Sequence, residues 1–209
     1  MSGLGNAMID EPKILGRADV VAARGAQLAE PHVAPLTACV EALRTEHPGA
    51  GIPYFDPWDG GIGASVLFLL EAPGPQAVRS GFVSCNNPDE TARNFHGIMR
   101  AAGIPRSAIV TWNVVPWYLG DGRKIRPATA ADIREAAPAL GRLLDLLPGL
   151  RAGVLIGRKA QRIAPEIERL RPGLRLFKSP HPSPMFINRE PGNRERVVAA
   201  LREVAAAIA

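Results

Sequence analysis

The chain has 209 residues, of which 46% are apolar and 22% charged, and its 25 Lys and Arg against 20 Asp and Glu give a net charge of +5. These proportions are those of a folded domain and exclude a low-complexity chain, and no apolar run reaches the ~18 residues that a membrane-spanning helix needs. The N-terminal stretch lacks the basic, apolar and small-residue order of a secretory signal, so the expectation is a cytoplasmic protein with no membrane partner.

In chain order, residues 1–16 are weakly patterned and read as a flexible leader, leaving 17–209 as one domain. Helical spacing of apolar residues predicts helices over 17–30 and 33–47, separated by Pro31 and stopped by Pro48-Gly49. Residues 48–63 read as loop, 65–70 as a buried strand and 72–88 as a long loop. A helix over 91–102 carries Phe95, Ile98 and Met99 on its apolar face. Residues 108–115 are rich in β-branched side chains and read as a second strand. After a loop over 116–127 come an amphipathic helix over 129–147, a strand over 153–157 and a helix over 159–170 that includes Pro165. A strand over 174–178 and a last helix over 193–208 complete the pattern. Strands alternating with helices predict an α/β fold, a three-layer α/β/α sandwich on a central four-stranded parallel sheet.

Two short motifs stand where chemistry is expected. Glu71-Ala72-Pro73-Gly74 follows the apolar run 66–70, and His181-Pro182-Ser183-Pro184 follows the strand over 174–178. Parallel strands end on one side, so these stiff, Pro-bearing loops can share a crevice that joins a carboxylate to an imidazole. No histidine falls at metal-ligand spacing, Gly157-Arg158-Lys159 is not a Walker-type phosphate loop, and there is no Gly-x-Ser-x-Gly elbow.

The motifs resemble those of the uracil-DNA glycosylase superfamily. Its iron–sulfur branch has Gly-Glu-Ala-Pro-Gly as the first motif, with Leu70 here in place of the leading Gly, and most branches carry His-Pro-Ser-Pro as the second. Thr111-Trp112-Asn113-Val114-Val115 is similar to the strand whose Asn reads uracil, and Phe82 in Gly81-Phe82-Val83 to the Phe on which the base stacks. The resemblance implies hydrolysis of the N-glycosidic bond of uracil in DNA by a monofunctional enzyme of base excision repair. His181 would donate to the uracil carbonyl that gains charge, and Glu71 would orient water or stabilise the sugar cation. Asn113 offers the donor and acceptor that uracil's edge requires, and Ala72 and Gly74 stand at the base. In the strict uracil enzymes an Asp occupies the position of Ala72 and a Tyr that of Gly74, so a roomier pocket that admits 5-substituted uracils is implied. Met185 and Phe186 fall at the family's intercalating wedge, and Pro73, Ser179, Ser183 and Arg189 stand where DNA is contacted.

Two cysteines, Cys39 and Cys85, are too few for the cluster of that branch, so no cofactor and no metal are expected. The implied partner is uracil-containing DNA, and the implied protein a nucleoid-associated monomer. Two alternatives stay open: a DNA-damage binding protein of the same fold without turnover, and a hydrolase of free nucleosides.

Overall fold

The computed structural model describes residues 10–121 and 124–208. Its centre is a parallel sheet of four strands, β2 (Val66–Leu70), β4 (Ile109–Asn113), β5 (Ala152–Ile156) and β6 (Arg175–Ser179), in the order β4-β2-β5-β6. A separate two-stranded parallel pair joins β1 (Tyr54–Phe55) to β3 (Phe82–Val83). The helices are α1 (Ala18–Gly25), α2 (Ala34–Glu46), α3 (Pro75–Ser80), α4 (Glu90–Ala102), α5 (Ala130–Asp145), α6 (Gly157–Ala160), α7 (Ala164–Leu170), α8 (Pro184–Ile187) and α9 (Asn193–Ile208).

Side chains of a strand alternate between faces, and the central strands divide accordingly. Leu67, Leu69, Val110, Trp112 and Leu155 join one core with Val40 of α2, Leu140 and Leu144 of α5, and Ile167 of α7. Val66, Phe68, Val154 and Ile156 join the other, with Ile98 of α4 and Leu201 of α9. Burial on both faces explains why β2, β4 and β5 are almost continuously apolar, as parallel strands between helical layers must be. The expected three-layer α/β/α architecture is therefore the observed one.

Three segments differ from the sequence reading. The loop expected over 72–88 contains α3 and β3, because Pro75 is preset for a first helical turn and Gly81, at φ +82°, ends that helix in the left-handed region. The loop expected over 48–63 contains β1, a strand of two residues. The helix expected over 159–170 is α6, a 3-10 turn and α7, since Pro165 lacks an N–H and so begins a helix rather than continuing one.

The expected leader also differs over its last residues, while residues 1–9 lie outside the described ones. Leu15 is buried against Val20 and Phe82, and Asp10 bonds Arg106 at 2.8 Å. Asp10 borders a buried polar network. Arg24 of α1 is 0% exposed, pairs with Asp56 and lies 3.7 Å from the centre of the Trp58 ring. Arg106 bonds Asp59 at 2.9 Å and also reaches Asp56 and Asn86, while Ser84 donates to Asp56. Burial pushes the Asp59 carboxyl up to about 7, reinforced by the charge of Asp56, whereas Arg106 and Arg24 hold Asp56 below its usual range despite its burial.

Removing one partner of a buried ion pair strands the other charge, at a cost of about 3–5 kcal/mol. Arg24→Met is therefore expected to lower the unfolding free energy by about that amount in urea denaturation. A loss under about 1 kcal/mol would mean that Asp56 is adequately held by Arg106 and Ser84 alone.

Candidate active site

All four central strands run in one direction, so β4, β2, β5 and β6 deliver their C-terminal residues to one edge of the sheet. Leu70 pairs with Asn113 at the end of the β2–β4 ladder. The ladder continues past it, since Val114 N–H donates to Leu70 O at 2.8 Å and Val115 N–H to Glu71 O at 3.0 Å. The first motif is thereby fastened alongside Asn113.

A cavity of about 460 Å³ opens at this edge. Its walls include Leu70, Ala72, Pro73 and Gly74 from the first motif, Thr111 and Asn113 from β4, and His181 from the second motif. Gln76 and Ala77 of α3, Val83, Ser84 and Asn87 after it, and Asp89, Thr91, Ala92 and Phe95 at the start of α4 form the opposite wall. Asn113 is buried, and among the described residues its Nδ2 has no hydrogen-bond partner. A buried donor left without an acceptor costs about 1–3 kcal/mol, which a ligand in the cavity would recover. Gln76 Oε1 is a second buried polar atom without a partner on this wall.

His181 is fixed from three directions. Gly157 stands at φ +82°, and a Cβ there would lie 3.4 Å from the His181 ring, so glycine suits both the backbone and the close approach. Asn94 of α4 donates to Pro182 O at 3.0 Å, and Gln161 donates to Ser179 O at 3.1 Å. Burial pushes the His181 imidazole below its ordinary 6.5, against the opposing charges of Glu71 and Asp89. The ring is thus neutral at pH 7 and retains one N–H donor.

Glu71 is not in the wall of this cavity. Its Oε1 accepts the Ala128 N–H at 2.6 Å, and it lines a second recess with Gly157, Arg158, Lys159, Arg162 and His181. Lys159 donates to Ala128 O at 3.0 Å, so the backbone of Ala128 is held at both its N–H and its C=O. His181 borders both recesses.

Of the other residues singled out in the sequence, Phe82 is turned away from the cavity. It packs with Leu15 and Val20, while its strand neighbour Val83 faces the cavity. A strand alternates its side chains, and the pairing of β3 with β1 fixes which of the two points inward. The aromatic side chain in the cavity wall is Phe95. Ser179 is also displaced from its expected role, for it is buried and donates to Pro180 O at 3.0 Å. Ser183 stands at the N-terminal boundary of α8 without a side-chain capping bond, and Met185 of that helix is 87% exposed. Phe186 instead packs partly against the core beside α9. Arg189 is exposed, at 3.9 Å from Glu190.

The residues present do not fit an iron–sulfur cluster. Cys39 packs against the core on one face of the sheet, and Cys85 is buried in the core on the other, where burial pushes its thiol far up. Among the described residues no group of three or more His, Cys, Asp and Glu is arranged to hold a metal, and no helix is long and apolar enough to cross a membrane.

A parallel sheet with helices on both faces and a cavity at its carboxyl edge defines a doubly wound α/β protein, with the cavity where such folds place their ligands. Its lineage follows from comparison. The model of the uracil DNA glycosylase superfamily matches residues 57–205, and the chain belongs to that superfamily, whose members are DNA glycosylases. The crystal structure of wild-type Pedobacter heparinus SMUG2 is similar in fold, with a TM-score of 0.54, 13% sequence identity and 82% of each chain covered. No curated protein sequence matches the chain.

The buried neutral state of His181 has a measurable consequence. Unfolding exposes the ring to its ordinary pKa, so below pH 6.5 the unfolded chain takes up a proton that the native chain resists. The His181 contribution should therefore weaken stability as pH falls from 6.5 through the depressed native value. A proton NMR titration should place the ring below 6.5, and Glu71→Gln should move it lower still by removing a charge that favours imidazolium. A His181 pKa at or above 6.5, or one unmoved in Glu71→Gln, would contradict this electrostatic picture.

Proposed function

We propose that this protein is a monofunctional uracil-DNA glycosylase that hydrolyses the N-glycosidic bond of uracil in DNA. The observation that carries the reading is the unpartnered Nδ2 of Asn113, buried beside His181 in a cavity large enough for a base. The Asn113 amide complements uracil, with Nδ2–H donating to a carbonyl and Oδ1 accepting from N3–H. His181, neutral and rigidly held, donates to the carbonyl oxygen that gains charge as the C1′–N1 bond breaks. Such preorganised donors contribute ~10²–10³ in rate each. Ala72 and Pro73 border the base, and Glu71 acts through His181, holding the loop beside it and favouring a polarised ring.

A duplex base reaches a cavity of this kind only by leaving the stack. Met185 supports that step, since a methionine 87% exposed on the turn after His181 is suited to fill the gap left behind. This exposed apolar tip favours DNA over a free nucleoside as substrate. Ser183 and Arg189 lie on the same surface and would contact the phosphate backbone. The reading carries with it a cytoplasmic, nucleoid-associated monomer working in base excision repair.

A labelled uracil-containing oligonucleotide, cleaved with alkali at abasic sites, tests the reading with deoxyuridine as control. His181→Ala and Asn113→Ala should each cut single-turnover base release by ~10² or more, His181→Ala with DNA affinity nearly unchanged. Rates within threefold of wild type would remove either residue from the chemistry. A wild type that binds the strand but releases no base would favour a damage-binding protein.

The range of bases depends on Gly74. A Cβ added there meets no atom within 4 Å, and its φ of −81° suits any residue. The cavity is thus open at this position, which supports activity on a 5-substituted uracil such as 5-hydroxymethyluracil. Gly74→Tyr should fold normally and lower the rate on 5-hydroxymethyluracil relative to uracil by 10-fold or more, roughly the scale of steric discrimination of one small group. A ratio unchanged by the tyrosine would mean that another wall sets the range.

A further inference from the structure

The reaction proposed above needs a carboxylate near the sugar, and the first motif does not bring one into the base cavity. Glu71 is engaged by the Ala128 N–H and borders the neighbouring recess. Ala72 carries no functional group. Among the residues lining the cavity there is one carboxylate, Asp89.

Asp89 is the N-cap of α4, at φ −135° and ψ 163°. Its Oδ1 accepts the Ala92 N–H at 2.9 Å, and Oδ2 has no partner among the described residues. The cap fixes the side chain, as the Ala92 peptide it binds is itself part of the cavity wall. The segment leading to it is equally constrained. Ser80 donates to Asn87 Oδ1 at 2.6 Å, Asn87 donates to Phe82 O at 2.9 Å, and the Asp89 N–H donates to Asn87 O at 2.8 Å. Asp89 also lies close enough to His181 for its charge to act on the imidazole, independently of Glu71.

We propose that Asp89 is the catalytic carboxylate of this glycosylase, acting on the attacking water in the base cavity. This assignment rests on the glycosylase reading and names the residue that completes it. In the step, the C1′–N1 bond breaks with its electron pair passing to N1 of the base. The water oxygen forms a new bond to C1′, its proton passes to Asp89 Oδ2, and Asp89 then releases that proton to solvent. Until the bond forms, the same carboxylate faces the positive charge that develops on the sugar. His181 and Asn113 serve the base, Asp89 serves the sugar and water, and Glu71 supports His181 from behind.

The cap makes the test clean, because Asn and Ser cap helices nearly as well as Asp. Asp89→Asn and Asp89→Ser should keep the thermal midpoint and DNA affinity of wild type while lowering single-turnover uracil release by ~10² or more, the usual scale of general-base catalysis. The His181 pKa, read by NMR, should fall in Asp89→Asn, a readout that needs no turnover. Glu71→Gln should cost much less in rate than Asp89→Asn. An active wild type with Asp89→Asn and Asp89→Ser within threefold of it would overturn the role of Asp89 alone. So would a His181 pKa unchanged in Asp89→Asn, or a larger loss in Glu71→Gln than in Asp89→Asn. A wild type that releases no uracil at all would overturn the glycosylase reading, and the role with it.

Discussion

The site depends first on parallel register. Asn113 and Leu70 are paired residues at the end of one ladder, and two further backbone hydrogen bonds carry the pairing into Glu71 and Val115. A slip of one residue would reverse the faces of every side chain in the strand and send Asn113 to the opposite core. The slip is resisted by the packing of both faces, since each inward position on β2 and β4 is filled by an apolar side chain or by a residue of the cavity. The position of the Asn113 amide is therefore maintained by hydrophobic burial some distance from it.

The wall opposite that ladder is built on different physics. Ser84, Asn87 and Asp89 belong to a stretch with little regular structure, and it is polar bonds that hold it. Ser84 joins the buried cluster of Asp56, Arg106 and Arg24, and Asn86 bonds both Arg106 and the Asp10–Glu11 segment. Buried charges of this kind add little net stability against an apolar alternative, yet they confine geometry because every misalignment strands a charge. One wall is thus set by apolar packing and the other by paired ions.

His181 stands between two recesses of opposite character. On one side are the mostly apolar cavity walls with Asn113 and Asp89, and on the other Glu71 with Arg158, Lys159 and Arg162. Two nearby carboxylates draw the ring toward imidazolium, while burial outweighs them and keeps it neutral. In the proposed reaction this balance supplies a strong donor without a full positive charge that would bind the substrate carbonyl and the departing anion alike. Only interactions that strengthen on the way to the transition state speed the chemical step.

Much of this was legible in the chain. Runs of apolar residues such as Val66–Leu70 admit little besides a doubly buried strand, and the alternation of strands with amphipathic helices fixes the fold class. Residues at strand ends, Asn113 and His181, could be assigned to one edge because parallel strands must end together. What the chain did not disclose is where side chains point in short, irregular segments. Phe82 and Val83 are adjacent apolar residues, and only the pairing of β3 with β1 decides that Val83 meets the cavity. Ser179 lies beside the second motif, yet the last residue of β6 is buried. Glu71 stands at the expected loop, but its rotamer answers to the Ala128 N–H, 57 residues away in sequence. Asp89 immediately precedes α4, and nothing local shows that this helix start lines the cavity. Periodicity encodes which residues are buried; the direction of a side chain in a loop is set by contacts distant in sequence, and those exist only once the chain has folded.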